Sequence, residues 1–215
     1  IPVYYMANIL FTKKFIAKLT SIIRNFWWTS VSGNDSKKIL CLRAWKDICN
    51  SKDEGGLGVR NLKAINESLI LSAAWRLAKD PSSHLYLVLK AKYFPNASIW
   101  TATTTHIPAF RASILKMLPK LTTHSFYEIM QGNISIWSTP WCNNWSSIHE
   151  HLIPQHAGFV YPALVKDLWL PGQRIWNQTL IFSLFQQPLA SIIVHTDIVD
   201  DEIPDLLCWD LTLNG

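Results

Sequence analysis

Charge is scarce in this chain: only 16% of its 215 residues are Asp, Glu, Lys or Arg, against 49% hydrophobic residues. That balance excludes a disordered chain and leaves apolar surface for a sizeable core in one or two domains. Cysteine is scarce as well. Cys41, Cys49, Cys142 and Cys208 are scattered without a C-x-x-C pair, which excludes a disulfide framework. They read as reduced, mostly buried thiols of an intracellular protein, in nucleus or cytoplasm. No apolar run reaches the ~18 residues of a membrane span, so no membrane partner is expected. The glycines make no phosphate loop: Gly55, Gly56 and Gly58 lack the third fingerprint glycine, which is Asn61 here, and no Lys-Ser/Thr follows. A turn needing positive φ accounts for that cluster. The chain opens Ile1-Pro2 without an initiator Met and reads as a fragment of a longer frame. N-x-S/T sequons at Asn66, Asn96, Asn133, Asn144 and Asn177 follow no signal peptide, and three fall in predicted helices or caps, so chance accounts for them.

Acidic side chains are the missing sign in the first half. Residues 1–110 hold fifteen Lys or Arg against six Asp or Glu, whereas residues 111–215 hold five against nine. Such an imbalance suggests that the first half alone faces a polyanion, and a merely solvated basic surface is the other reading.

What the chain has in plenty is tryptophan, eleven in all, and Trp is first a packing residue. Its clearest periodicity lies in residues 61–79, where Leu62, Ile65, Leu69, Ala73 and Leu77 fall on one side of a helix and Ile70 and Ala74 widen the stripe. Leu71 and Trp75 make the second half apolar nearly all round, as a central helix should be. Asn61 is the N-cap, and Asp80 before Pro81 is the stop. A second helix from Pro81 to Phe94 carries Leu85, Val88 and Leu89 inward. Lys13 to Trp28 is amphipathic, with Ile16, Leu19, Ile23, Phe26 and Trp27 on one face and Lys14, Lys18, Ser21 and Asn25 on the other. Residues 37–42 predict a strand, 44–50 a short helix and 108–118 a further helix. Strands at 126–130 and 134–137 joined by Gln131-Gly132-Asn133 make a small hairpin, and a last helix runs through Leu180, Ile181, Leu184 and Phe185. The fold class is mainly α, with a thumb-like bundle and connector and that hairpin in the C-terminal half, hence α+β. Its parts are a thumb-like helical unit at 1–52, a helical connector at 53–125 and a small α+β region at 126–215.

Several words support a family. Glu54-Gly55-Gly56-Leu57-Gly58-Val59-Arg60-Asn61-Leu62, Ala74-Trp75-Arg76-Leu77 and Leu89-Lys90-Ala91-Lys92-Tyr93-Phe94-Pro95 resemble plant LINE-type (non-LTR) retrotransposon polyproteins, in the stretch between the reverse transcriptase catalytic domain and a zinc-binding segment. The resemblance extends over nearly the whole chain, through Asn25-Phe26-Trp27-Trp28, Lys37-Lys38-Ile39, Trp137-Ser138-Thr139-Pro140-Trp141 and Leu207-Cys208-Trp209. Thr29, Phe110 and Thr139 stand where the family usually has Gly, Trp and Asp. The family places its helical thumb directly after the palm, which implies that Lys13, Lys14, Lys18, Arg24, Lys37 and Lys38 grip the backbone of RNA or an RNA-DNA hybrid. The alternative is that these lysines and arginines only keep a helix soluble. The other implied partner is the remainder of the polyprotein.

Catalytic residues are not expected. A reverse transcriptase holds two magnesium ions on carboxylates, one of them in the word Y-x-D-D. The adjacent pair here, Asp200-Asp201, has Ile198 in the aromatic position and reads as an exposed acidic turn. Cys142, His149, His151 and His156 lack the paired spacing of a structural zinc site, and Cys142 has no electropositive neighbour in sequence. An RNase H would need acids spread over a mixed sheet that the last hundred residues do not supply. No cofactor and no metal are therefore expected. The chain is expected not to be an enzyme by itself, but to support template-primer binding and link polymerase to the downstream zinc segment. A degenerate retroelement relic with no function of its own is the alternative.

Overall fold

The structure, a computed structural model, describes residues 3–29, 43–95, 98–101 and 109–210. The predicted strand at 37–42, with Lys37 and Lys38, lies outside those residues. Two compact units divide the chain, one made of Ile1–Arg76 with Thr104–Met117 and the other of Leu77–Thr103 with Leu118–Gly215. The first, basic unit contains α1 (Val3–Asn8), α2 (Lys13–Thr29), α3 (Trp45–Ile48), most of α4 (Leu62–Lys79) and the start of α6 (Ala109–Thr123). The second contains the ends of α4 and α6, with α5 (His84–Tyr93), β1 (Ser125–Glu128), α7 (Gln178–Leu184), α8 (Leu189–Val194) and β2 (Leu206–Trp209). A mainly helical chain with one two-stranded antiparallel sheet is the α+β class that the patterning predicts.

Helix α4 starts as its sequence says. Asn61 accepts the amides of Lys63 (2.9 Å) and Ala64 (3.3 Å) through its side chain, satisfying two of the orphan donors of a first turn. Its deepest residues are Asn66, Ile70, Ala73, Ala74, Leu77 and Ala78, so the buried line lies beside the Leu62–Ile65–Leu69 line, whose members are half-buried. Past Asp80 the chain makes a turn before the next helix: the Asp80 carboxylate accepts both the Ser82 amide and hydroxyl, and Ser83 caps Tyr86. These hydrogen bonds, the Ser82 hydroxyl first, hold the Asp80 carboxyl below its usual range. The turn delays α5 to His84, and its inward residues are Tyr86 and Leu89, whereas Leu85 and Val88 face outward.

The glycine cluster is the expected turn. Gly55 and Gly58 have φ of +77° and +67°, and a Cβ on Gly56 would sit 2.1 Å from the Asn50 carbonyl oxygen. The amides of all three bond to Lys52, Ser51 and Asn50 carbonyls, which leaves them unable to cradle a phosphate.

The sheet corrects one expectation. Strand β1 does pair antiparallel, but with β2, Phe126 opposite Cys208, rather than with residues 134–137. The reason is the intervening turn. The amides of Met130, Gly132 and Asn133 all bond to the Asp205 carboxylate at 2.7–2.8 Å, which docks the segment before β2 against the turn after β1. Residues 134–137 turn instead toward 163–165: Ile136 donates to Ala163, and Val165 to Ile134.

The second unit's core surrounds Trp141 and Phe185, each 1% exposed, with Ile136, Ile148, Leu168, Ile181, Leu184 and Ile193 sealed from solvent. Trp141 donates its indole N–H to the Ile136 carbonyl at 2.9 Å and packs tilted against Trp176, so its large apolar face is buried without orphaning its one donor. Of the eleven tryptophans ten are buried or half-buried and Trp27 is exposed, which agrees with packing as the main use of this residue.

Candidate nucleic-acid interface

The basic unit holds fourteen Lys or Arg against five Asp or Glu, and the second unit six against ten. The charge division between the halves of the sequence is therefore also a division between folded units. Helix α2 carries the densest part of it. Thr12 starts this helix, accepting the amide of Phe15 through its hydroxyl and that of Ile16 through its carbonyl.

The chain leading into α2 is fixed by a buried carboxamide. Asn66 is fully enclosed, and its Oδ1 accepts the Phe11 amide at 2.7 Å. Its Nδ2 donates to the carbonyls of Met6 (2.6 Å) and Ile9 (2.8 Å). One side chain thus satisfies two carbonyls at the end of α1 and an amide of the joint to α2. Ser113 assists, accepting the Leu10 amide and donating to Ala109. Neither role follows from hydrophobic pattern. The available signal was a carboxamide interrupting the apolar stripe of α4, between Ile65 and Leu69.

Lys13, Lys14, Lys18 and Arg24 are all exposed along α2. Lys14 and Lys18 are one turn apart on one line. Lys13 and Arg24 share a second line about 16 Å long, roughly a third of a turn round the helix. None of the four pairs with a carboxylate among the described residues, although Lys63 pairs with Glu67 at 3.7 Å and Arg43 donates to the Gly55 carbonyl at 2.9 Å. Lys13 and Lys14 stand in the first turn with no acidic residue there, so their charge adds to the positive end of the helix dipole. Among the described residues the arrangement is a positive field without a paired carboxylate, suited to an external anion.

The apolar side of α2 is less covered than its pattern predicts. Ile16, Leu19 and Ile23 are half-buried, but Phe26 and Trp27 are 74% and 42% exposed.

The other candidate groups stay apart. Asp200 is 97% exposed and pairs with Arg174 at 3.2 Å, whose guanidinium also donates to the Asp201 carbonyl. This is the expected acidic turn. His149 stacks on Trp137 and His156 lies edge-on to Phe159, while burial pushes the Cys142 thiol up to about 12. Among the described residues no three His, Cys, Asp or Glu side chains gather to hold a metal, and no helix is long and apolar enough to cross a membrane.

Two plant proteins resemble the chain. An uncharacterized mitochondrial protein of Arabidopsis thaliana, AtMg00310, is 33% identical over 111 residues, covering 51% of this chain and 70% of that protein. A putative ribonuclease H protein of Arabidopsis thaliana, At1g65750, is 30% identical over 221 residues, covering all of this chain and 35% of that protein. The chain thus belongs to the family of the uncharacterized mitochondrial protein AtMg00310, and it spans about a third of the ribonuclease H relative. These relatives are in keeping with a plant, retrotransposon-derived sequence. No family model matches the chain, and no solved structure does.

Proposed function

We propose that this chain is a non-catalytic part of a plant LINE-type reverse transcriptase polyprotein, working inside the cell, in which α2 holds the backbone of RNA or an RNA-DNA hybrid. The rest of the chain links the polymerase to a zinc-binding segment. The observation that carries the reading is the row of exposed cations on α2 that no carboxylate neutralises among the described residues, in a unit with a large excess of positive charge. Phosphate contacts of this kind give binding that is independent of sequence and sensitive to salt.

The name of one relative favours a second reading, ribonuclease H. That chemistry needs carboxylates converging on metal. The described residues offer no such group, and the chain corresponds to only 35% of that relative, so our reading assigns any ribonuclease activity to another part of the longer protein. Decay to an inert relic is the rival in a different class. A cooperative thermal transition of the purified chain argues against it, and a broad, featureless one argues for it.

Titration of the folded chain with RNA and with RNA-DNA hybrid over a range of salt tests the proposal. Affinity falls steeply as salt rises, and Lys14→Ala with Lys18→Ala lowers the log–log slope by about 0.9 for each phosphate no longer neutralised. A folded chain that binds neither at low salt removes the gripping role.

A further inference from the structure

A helix that only grips a duplex needs cations and a wet surface, yet α2 exposes large apolar side chains, three of them aromatic. Phe15, edge-on to Phe11 at 4.9 Å, Ile22 and Phe26 are 45%, 57% and 74% exposed. They recur at seven- and four-residue steps and so form one line along the helix, directly beside the Lys14–Lys18 line. Trp27, the one exposed tryptophan of eleven, lies on the opposite flank of the half-buried side, next to the Lys13–Arg24 line. The Lys14–Lys18 line therefore has three exposed apolar side chains alongside it, and the Lys13–Arg24 line has Trp27. Tyr4 and Tyr5 add two exposed rings in the same unit.

In a duplex the base faces are already stacked on one another, and rings outside it have nothing to hold. In an unpaired strand they are free, and proteins that take such strands set aromatic rings beside the cations that track the phosphates. We infer that α2 receives single-stranded nucleic acid, its lysine and arginine lines on the phosphates and its rings, Trp27 first, under unpaired bases. This inference rests on the nucleic-acid reading above and narrows it, since it prefers an unpaired strand to a duplex. The occupant is chosen by charge: the unit's net positive field and the cations adjoining the rings suit a polyanion with π faces, and they oppose a second copy of the same basic unit.

The test is fluorescence anisotropy of the whole chain with a labelled oligothymidylate or oligouridylate of about 16 nucleotides, against a duplex of equal length in the same salt. The unpaired strand binds at least about tenfold more tightly. Trp27→Ala combined with Phe26→Ala weakens strand binding about five- to hundredfold with the salt slope unchanged, and leaves duplex binding as it was. Lys14→Ala with Lys18→Ala weakens both and flattens the slope. If the unmodified chain binds duplex as tightly as strand, or the ring variant melts normally and binds the strand unchanged, the inference falls while backbone gripping stands. If neither nucleic acid binds, both fall. Self-association that the ring substitutions abolish assigns the rings to a second copy and also overturns it.

Discussion

The two units of this chain keep their apolar residues in different ways. In the second unit, fifteen side chains between Ile129 and Ile193 form one buried cluster; the Trp141 indole is satisfied inside it, whereas the buried indole N–H of Trp169 packed against it has no partner. In the basic unit, α2 has no fully buried side chain among the described ones and keeps Phe15, Ile22, Phe26 and Trp27 exposed to solvent, while its joint to α1 is fixed by the Asn66 carboxamide. The larger buried cluster lies in the second unit, and the proposed recognition surface lies in the first. The same residue type serves both ends: Trp141 fills a core, and Trp27 stands at a surface.

The sharpest way to break that contrast is at Trp141. Replacing it with Ala removes a ring with 1% exposure and leaves the Ile136 carbonyl without its donor, which costs about 3–5 kcal/mol. Denaturant unfolding followed by circular dichroism reads this. A loss under about 1 kcal/mol removes the claim that the second unit's core dominates stability. Trp27→Ala, by comparison, changes stability by less than about 0.5 kcal/mol.

Next in size is Asn66→Ala. It orphans the carbonyls of Met6 and Ile9 and the amide of Phe11 together, at a cost of about 3 kcal/mol. Hydrogen exchange distinguishes it from the Trp141 change, because protection is lost first in residues 3–29, whereas amides of the second unit keep theirs. Uniform loss of protection makes the two units one cooperative body and breaks the comparison.

What could be read from the sequence follows the range of the forces involved. Helices α2, α4 and α6 came from 3.6-residue spacing, and the Asn61 cap and the glycine turn from local hydrogen-bond chemistry, because each is decided by residues within a few positions. Strand β1 was placed, but its partner was not: β2 lies about eighty residues on, and the carboxylate that sets the pairing, Asp205, resembles any other acidic residue in a loop. The start of α5 shifted because Asp80 forms a side-chain turn that competes with helix. For the candidate interface, charge spacing located the cations, and Lys37 and Lys38 lie beyond the described residues. The exposed rings were misassigned to the packed face, since periodicity reports which side is apolar but not whether anything covers it.

Alkaline titration gives a third, comparable effect confined to the second unit. Burial raises the Cys142 thiol from 9.0 to about 12, while the unfolded chain ionises near the ordinary value. Between the two the unfolded state binds fewer protons, so stability is full below about pH 9 and falls as pH rises toward 12. At about pH 11 the loss is about 2.5 kcal/mol, and Cys142→Ala removes that part of the slope. An unchanged slope in the variant shows that the thiol is not held neutral. Thiol alkylation at neutral pH checks the burial independently: Cys49, only half-buried, reacts ahead of Cys142 and Cys208, which the fold encloses.

The smallest effect on stability belongs to the residues of the proposed interface. Lys14 and Lys18 touch no carboxylate among the described residues, and both stand on the exposed side of α2, with like charge at neighbouring positions. Replacing both with Ala removes a repulsive i,i+4 pair and adds two good helix formers. The unfolding midpoint therefore stays within about 0.5 kcal/mol of the parent or rises slightly. Side chains kept for solubility or folding would show a loss of stability or of soluble yield on removal. Side chains kept for an external anion show neither, and only binding responds. A fall of more than about 1 kcal/mol on this double substitution would tie α2's charges to the fold and take away the separation between the unit with the large core and the unit proposed to bind.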